Sequence, residues 1–286
     1  MNQEIIHAIA TACGIPLTGY QQVSGGDINE CFCLQTTERK YFLKLNDAGC
    51  LPDMFKNEAS GLEALRNNSK LIVPATIAQG TLYNQQWLLL QWVEKGPVHK
   101  SSMKNFGAAL ASMHQHTQAF FGWPHNNYIG SLNQLNSKHT NWHTFYTECR
   151  VNILVKRLFD NGMFSKSDVE AAGNFCKQTA NLFPQEPPSL LHGDLWAGNF
   201  MIDTNGDAAI FDPAVYYGHR EMDLAMTKLF GGFDDSFYKA YHEVYPLQQG
   251  WQLRLHAGQL YPLLVHAVLF GGHYIMRVKE IIKNHQ

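Results

Sequence analysis

The residues best suited to chemistry lie in the segment His192-Gly193-Asp194-Leu195-Trp196-Ala197-Gly198-Asn199, and a further acid, Asp212, follows it. Asn199 and Asp212 suit a hard cation, because Mg²⁺ binds through a few protein oxygens together with substrate phosphates. The additional carboxyl group of Asp194 suits a general base. The pattern therefore indicates metal-assisted chemistry on a phosphate-bearing substrate.

The chain between Asn199 and Asp212 is expected to form a hairpin that brings these two residues together. Asn205-Gly206 separates two short apolar runs, and both residue types tolerate the positive φ of a type I′ turn. If these two residues form the turn, Asn199 lies directly opposite Asp212. A register slip of one residue still leaves them neighbours, with Asp194 in the loop that enters the same strand.

A buried ion pair is expected nearer the N-terminus. Over residues 53–66, Phe55, Glu58 and Leu62 recur at helical spacing on one face. Glu58 should therefore point into the core, where an unpaired carboxylate is costly. Lys44, on the inward face of a predicted strand, is its expected partner.

The loop at 24–29 joins the first two predicted strands and contains Gly25, Gly26 and Asn29. Successive backbone N–H groups in such a loop can form an anion-binding concavity. We therefore expect this loop to fold its backbone N–H groups over phosphates.

The elements that position these residues fall into two groups. Short β-like runs are predicted at 20–23, 30–36, 41–45, 72–77 and 87–93. From residue 101 onward the apolar residues recur at helical spacing, apart from two strands near residue 200. Gly96-Pro97 marks the joint. We expect an α+β chain with a small antiparallel-sheet lobe at 1–95 and a larger, mainly helical lobe at 96–286.

Composition limits the function classes. The chain has 286 residues, of which 45% are hydrophobic and 16% charged, as is typical of a folded globular protein. Its net charge is −2 and it contains no basic run, so nucleic acid is not an expected partner. We expect a monomer or weak dimer that binds a small molecule.

The location is predicted from cysteines and apolar segments. The six cysteines include no C-x-x-C pair and predict reduced thiols in the cytoplasm. Glu4 stands where a signal peptide needs basic residues, so no secretion signal is expected. The most apolar region, 260–270, contains Pro262 and His266 and is too short to span a bilayer, so no membrane association is expected.

The segment around Asp194 resembles the H-x-D-x-x-x-x-N catalytic loop of protein-kinase-like enzymes, and its spacing to Asn199 matches residue for residue. The chain departs from protein kinases in its glycine loop, which is not G-x-G-x-x-G, and in the dipeptide Gly193-Asp194. Only residues 213–222 separate Asp212 from Asp223, which leaves no room for a long activation segment. A small-molecule acceptor is therefore favoured over a peptide.

The run 192–199, together with Phe211-Asp212-Pro213-Ala214-Val215-Tyr216-Tyr217-Gly218-His219-Arg220-Glu221-Met222-Asp223, resembles the fructosamine and ketosamine 3-kinase family. That family belongs to the aminoglycoside phosphotransferase-like kinases. The resemblance implies a protein-kinase-like fold and ATP-dependent phosphorylation of the 3-hydroxyl of a ketosamine such as a fructosamine or ribulosamine, free or on a glycated amine. The implied biological outcome is deglycation repair.

The resemblance also implies roles for individual residues. Asp194 is the base, Asn199 and Asp212 hold Mg²⁺, and Trp196 stacks on the sugar. Lys44, held by Glu58, contacts the phosphates of ATP. The resemblance further implies an adenine-binding hinge and structural support of the catalytic loop. The hinge residues are Gln91, Trp92, Val93 and Glu94. The supporting residues are His192 and Asp223.

Three alternatives are weighed against this interpretation. An aminoglycoside or other amino-alcohol acceptor fits the same catalytic residues, and a pseudokinase scaffold would bind nucleotide without turnover. A metal-dependent hydrolase built on His114 and His116 is disfavoured, because residues two apart on a helix point about 200° away from each other. The pseudokinase is disfavoured because the base, both metal ligands and the Lys44–Glu58 pair are all present.

Overall fold

The computed structural model describes residues 2–24 and 28–284. Asn29 is among them. Gly25 and Gly26, which we expect to cover phosphate groups, lie outside the described residues.

Five antiparallel strands form the N-terminal sheet. In chain order they are β1 (Gly19–Val23), β2 (Glu30–Gln35), β3 (Lys40–Asp47), β4 (Thr76–Leu82) and β5 (Gln85–Gln91). Their order across the sheet is β1-β2-β3-β5-β4, so β3 is central. Cys31 of β2 and Leu88 of β5 flank Lys44 in the register. Lys44 is therefore held between hydrogen-bonded strands on both sides.

The two faces of this sheet have different neighbours, because successive side chains of a strand point to opposite faces. Leu43 and Leu45 belong to a buried cluster with Ile6 and Ile9 of helix α1 (Asn2–Ala12). Lys44 points to the other face, where helix α2 (Met54–Asn68) packs. The alternation of side chains along β3 thus separates the face that α1 covers from the face that carries Lys44.

One predicted strand is wrong. The predicted run at 72–77 is replaced by β4, which begins only at Thr76, after Pro74, whose ring nitrogen has no hydrogen to donate. Ile72 instead forms an isolated parallel bridge with Ala209. Exposed and half-buried residues alternate along β4, as expected of an edge strand, so a search for apolar runs misses it. The other four strands and the helix at 53–66 are confirmed with ends shifted by one or two residues.

The remainder of the chain is mainly helical. Its helices are α3 (Ser102–His114), α4 (Trp142–Tyr146), a π-helical segment (Thr147–Val151), α5 (Asn152–Asp160), α6 (Lys166–Thr179), α7 (Glu221–Leu229), α8 (Asp235–Val244), α9 (Trp251–Phe270) and α10 (His273–Asn284). Helix α3 packs on α8, and α9 packs on both α7 and α10. A small antiparallel sheet followed by a larger helical part is therefore confirmed, whereas the exact division at residue 95 remains a prediction.

No helix formed by residues 2–24 and 28–284 combines the length and apolar character that a membrane crossing requires.

Six short strands interrupt the helical part. They are β6 (Asn127–Ile129), β7 (Leu132–Gln134), β8 (Ser189–Leu191), β9 (Phe200–Ile202), β10 (Ala208–Ile210) and β11 (Tyr216–Gly218). They pair as β6 with β7, β8 with β11, and β9 with β10. The segment 192–199 connects β8 to β9, so two of these small sheets hold its ends.

The hairpin of β9 and β10 is confirmed, but the predicted type I′ turn is wrong. Gly206 has a φ of 89°, whereas Asn205 is not in the positive-φ region, so only one of the two residues has the required conformation. The backbone N–H groups of Asn205 and Asp207 each donate to the Asp203 carboxylate at 2.9 Å. These side-chain contacts stabilise a longer loop in place of a two-residue turn.

The longer loop shifts the hairpin register by one residue. Ile202 pairs with Ala208, and the Phe211 N–H donates to the Asn199 carbonyl oxygen at 3.1 Å. Phe211, and not Asp212, therefore lies opposite Asn199. Asn199 and Asp212 remain close in the chain fold, and both line the same cavity.

Candidate active site

A buried lysine connects the sheet to the helical part. Lys44 Nζ lies 2.7 Å from Glu58 Oε1 and 2.8 Å from Asp212 Oδ1. The Lys44 side chain is 2% exposed and that of Glu58 is 9% exposed, while that of Asp212 is 29% exposed. The predicted Lys44–Glu58 pair is therefore present, and Asp212 is a second partner that sequence reasoning had placed only at the metal.

The lysine is charged in this setting. Burial on its own lowers the pKa of Lys44, but the carboxylates of Asp212 and Glu58 outweigh burial and hold that pKa above its ordinary value. The result is a fixed positive charge at the edge of the cavity, where an anionic group could approach it.

Asp212 owes its direction to an unusual backbone conformation. Its φ is 56°, in the left-handed region that residues other than glycine rarely adopt. Phe211 alone separates Asp212 from the end of β10, so this turn of the backbone diverts the carboxylate from the hairpin towards Lys44. Strained conformations of this kind persist where surrounding contacts over-determine them.

Asp194 and Asn199 contact each other across the loop between β8 and β9. Asn199 Nδ2 donates to the Asp194 carbonyl oxygen at 2.8 Å and to Asp194 Oδ2 at 3.0 Å. Burial raises the pKa of Asp194 to about 7, and the negative charges of Asp212 and Asp223 add to that rise, whereas the Asn199 hydrogen bond opposes it. A carboxyl group with a pKa near neutrality is suited to moving a proton.

Asp223 holds the start of this loop. Its carboxylate accepts hydrogen bonds from the backbone N–H groups of His192 at 2.8 Å and Gly193 at 2.9 Å. Asp223 lies in the first turn of α7, whose N-cap is Arg220, so its side chain braces the loop and does not cap the helix. The support of this loop that we expect from Asp223 is therefore present in the geometry.

His192 is fixed as a neutral side chain. Its Nδ1 accepts a hydrogen bond from the Asp194 N–H at 3.2 Å, so its Nε2 carries the hydrogen and donates to the Phe211 carbonyl oxygen at 3.0 Å. Burial lowers the pKa of His192, in agreement with this uncharged form. His192 thereby ties the loop to the strand end that precedes Asp212.

Sequence reasoning missed His114 as a further support. His114 is fully buried on α3, with Nε2 3.2 Å from Asp223 Oδ2 and Nδ1 2.7 Å from the Tyr241 hydroxyl. Both ring nitrogens are occupied, so this histidine is not available to bind a metal ion. No cluster of three or more His, Cys, Asp or Glu side chains that could hold a metal occurs among the described residues.

The glycine that precedes Asp194, where this chain departs from protein kinases, has a steric cause. Gly193 has a φ of 83°, and a Cβ atom at this position would lie 2.1 Å from the Ala214 carbonyl oxygen. Only glycine fits, because the segment after Asp212 packs directly against the loop. The Ala214 N–H donates to the His192 carbonyl oxygen at 2.9 Å and holds the two segments in that contact.

These residues surround a cavity of about 770 Å³. It is lined by Asn29, Lys44, Glu58, Asp194, Trp196, Asn199 and Asp212 among the predicted site residues. The Trp196 ring is 38% exposed and covers Gly198, where a Cβ would lie 2.3 Å from the ring. The structure thus brings seven of the predicted site residues to one space between the sheet and the helices.

The four predicted hinge residues lie outside this cavity. The Gln91 N–H donates to the Ala75 carbonyl oxygen at 2.9 Å, and Glu94 pairs with Lys40 at 2.6 Å. The Trp92 ring lies 6.2 Å from that of Phe42. Gln91 ends β5, and the other three residues begin the connection to the helical part.

Further aromatic side chains also line the cavity. They include His266, Phe270 and Tyr274, whereas Trp142 and Phe145 are buried in the core. Phe230 was missed, since it lies just after α7 and no periodicity marks it.

Comparison with known proteins identifies the family. All of residues 1–286 match the family model described as fructosamine kinase. The chain belongs to the fructosamine kinase family. A family relative described as "Probable ketoamine kinase" from Lactiplantibacillus plantarum is 41% identical over 273 residues, which cover 94% of this chain and 95% of the relative. This family member is therefore a kinase, a phosphotransferase whose acceptor is a hydroxyl group.

Solved structures agree with this membership. The crystal structure of a candidate fructosamine-3-kinase from Thermobifida fusca has a TM-score of 0.89 and 31% identity, covering 98% of this chain and 97% of that one. The aminoglycoside phosphotransferase APH(4)-Ia has a TM-score of 0.67 at 14% identity, with 99% of each chain covered, which shows a shared fold alone. The predicted kinase-like fold with a sheet lobe and a helical lobe is confirmed.

Proposed function

We propose that this fructosamine kinase family member transfers the γ-phosphoryl group of ATP to the 3-hydroxyl of a ketosamine. The observation that carries the proposal is the convergence of Asp194, Asn199, Asp212 and Lys44 on one cavity in a chain that matches the family over its whole length. The chemistry needs a cation on the phosphates, oxygen ligands for a metal ion, and an acceptor for the hydroxyl proton.

The donor set fits Mg²⁺. Asn199 donates through its nitrogen to Asp194, which leaves its Oδ1 oxygen for a cation. Asp212 binds Lys44 through Oδ1, and its Oδ2 accepts no hydrogen bond from the described residues. Two protein oxygens plus phosphate oxygens are a typical Mg²⁺ environment, and the ion supplies neutralisation of phosphate charge when bound. We assign Asn199 and Asp212 as the residues that hold it.

The proton of the acceptor is assigned to Asp194. As the 3-oxygen forms its bond to the γ-phosphorus, the bond from that phosphorus to the ADP oxygen breaks, and the hydroxyl proton passes to the Asp194 carboxylate. Asn199 orients this carboxylate through the hydrogen bond to Oδ2. Lys44 contacts phosphate oxygens, and Glu58 keeps its ammonium group in place.

The adenine ring is assigned to the segment 91–94. Val93 lies between the last β3–β5 pair, at Gln91, and the isolated bridge of Lys95 with Asp203, and its backbone groups form no backbone–backbone hydrogen bond with the described residues, so they can meet a purine edge. Gly25, Gly26 and Asn29 are assigned to the phosphates. Trp196 is assigned to the sugar.

The proposed outcome is deglycation, because phosphorylation at the 3-position gives an unstable ketosamine phosphate that releases its amine. We place the activity in the cytoplasm. All six cysteines are among the described residues and none forms a disulfide, which supports that location, since disulfides are rare there.

An acceptor panel tests the proposal. With Mg²⁺ and ATP, we expect turnover with fructosamines or ribulosamines and little or none with aminoglycosides. Turnover confined to aminoglycosides would overturn the ketosamine assignment while leaving the kinase assignment standing. The aminoglycoside alternative is not favoured, because the likeness to such enzymes is one of fold at 14% identity. If neither acceptor class reacted although nucleotide bound, the pseudokinase scaffold would replace the enzymatic function.

The pH dependence of kcat/KM should report the ionisation of Asp194. Burial raises its pKa to about 7, and the base must be ionised to accept the proton, so kcat/KM should fall about tenfold per pH unit below pH 7. Above pH 7 it should level off. Measuring kcat/KM for the ketosamine between pH 5 and 9 checks this; a profile that is flat from pH 5 to 7 would show that a group with an ordinary carboxyl pKa accepts the proton.

A further inference from the structure

One wall of the cavity is a continuous series of aromatic rings. Trp196 contacts Phe230 edge to face at 5.8 Å between ring centroids, and Phe230 lies 5.2 Å from His266. His266 in turn lies 5.6 Å from Phe270 and 4.9 Å from Tyr274. The series starts at Trp196, two residues after Asp194 in the sequence.

These rings present their surface to the cavity and to solvent. Phe230 is 37% exposed and Phe270 is 59% exposed, although both are large apolar side chains. Gly271 and Gly272, with φ values of 65° and 58°, form the turn between α9 and α10 and set Phe270 beside Tyr274. An adjacent group of exposed rings at a site mouth favours an apolar ligand surface.

The outer part of this wall contains no acidic side chain. Among the described residues that line the cavity, the carboxylates are Glu58, Asp194 and Asp212. Two of them contact Lys44 and the third contacts Asn199, so each has a partner at the phosphate end. A ligand that carries several ammonium groups would therefore meet no carboxylate along the aromatic wall.

Polar side chains also line the cavity. They include Asn57 of α2, and Tyr128 and Ser131 of the β6–β7 hairpin. Tyr128 is held by its hydroxyl, which donates to the Pro52 carbonyl oxygen at 3.0 Å. The lining thus offers hydrogen-bonding groups as well as the series of rings, and Asp194 belongs to the same lining.

We propose that Phe230, Phe270 and Tyr274 form a subsite for an apolar, aromatic substituent on the amine nitrogen of the ketosamine. The inference rests on the proposed function. In a ketosamine the nitrogen sits on carbon 1, two carbons from the reacting carbon 3, and the remaining hydroxyls lie on the opposite side. With the 3-hydroxyl at Asp194, the hydroxyl-bearing tail meets the polar side chains of the lining, and the nitrogen substituent extends along the rings.

The test compares fructosamines that differ only in this substituent. Burying a phenyl ring against these side chains should raise kcat/KM for the N-benzyl compound about tenfold above that for the N-methyl compound, chiefly through a lower KM. An N-(2-aminoethyl) compound, which carries a second ammonium group, should be no better than N-methyl. Equal kcat/KM values for benzyl and methyl, or a preference for the aminoethyl compound, would overturn the proposal.

Phe270→Ala links this preference to the wall. Its ring is largely exposed, so the variant should fold, and the ratio of kcat/KM for N-benzyl over N-methyl should fall about fivefold. Leu253→Ala is the matched control, because Leu253 is 81% exposed on the same helix and does not line the cavity. A ratio unchanged by Phe270→Ala would contradict the subsite, whereas a failure to phosphorylate any ketosamine would contradict the proposed function itself.

Discussion

Replacing Asp194 by Asn should lower kcat by about 10²- to 10⁴-fold, because the variant keeps the shape of the side chain and loses the proton acceptor. The KM for ATP should change little, since Asp194 contacts Asn199 and not Lys44. Steady-state kinetics with a ketosamine acceptor measure both quantities. Asp207→Asn is the control, because this acid is exposed in the β9–β10 loop and should leave turnover unchanged.

The same variant should be more stable than the parent protein at alkaline pH. Folding raises the pKa of Asp194 from 3.8 to about 7, so ionising the carboxyl group disfavours the folded state progressively between those values and fully above pH 7. Asn has no carboxyl group to ionise, so the substitution removes this cost to the folded state. We expect a gain of roughly 1–2 kcal/mol at pH 8, or about 2–5 °C in Tm, that shrinks as the pH is lowered towards 5. Near-normal turnover, or a loss of stability at pH 8, would contradict the role given to Asp194.

Lys44→Met should damage both stability and turnover. Removing the ammonium group leaves Glu58 without its partner in a buried position, and breaking a buried pair in this way costs about 3–5 kcal/mol. Turnover should fall by about 10²- to 10³-fold, as is typical when one group that stabilises transition-state charge is lost. Urea unfolding and kcat at saturating ATP measure the two effects.

A double variant separates the effect on stability from the effect on turnover. Lys44→Met combined with Glu58→Gln removes the unpaired carboxylate and should recover at least half of the lost stability, with no recovery of turnover. Lys156→Met is the control, because Lys156 forms an exposed pair with Asp160 on α5, and such pairs contribute about 1 kcal/mol or less. Recovery of turnover in the double variant would mean that Lys44 serves only to neutralise Glu58.

The meeting of the proposed catalytic groups could be predicted because its signal is local. The distance in sequence from Asp194 to Asn199 fixes their meeting in one loop, and the structure has them in contact. The Lys44–Glu58 pair was predicted from strand and helix periodicity, since an inward-facing carboxylate needs a partner. These arguments require no knowledge of how distant elements pack.

The remaining features depend on contacts that periodicity does not encode. The hairpin register changed because the Asp203 carboxylate accepts backbone hydrogen bonds and lengthens the turn. The role of His114 arises from the packing of α3 beside Asp223, residues far apart in the sequence. The aromatic wall combines Trp196 with Phe230 and with residues of α9 and α10, and each alone has the pattern of an ordinary apolar residue.

The position of the phosphate on the product tests the central claim most directly. After reaction of a fructosamine with Mg²⁺ and ATP, phosphorus–proton correlation by NMR should place the phosphate on the 3-oxygen, with one ADP formed per phosphoester. A phosphate on any other hydroxyl, or release of ADP and inorganic phosphate without a phosphoester, would contradict the account.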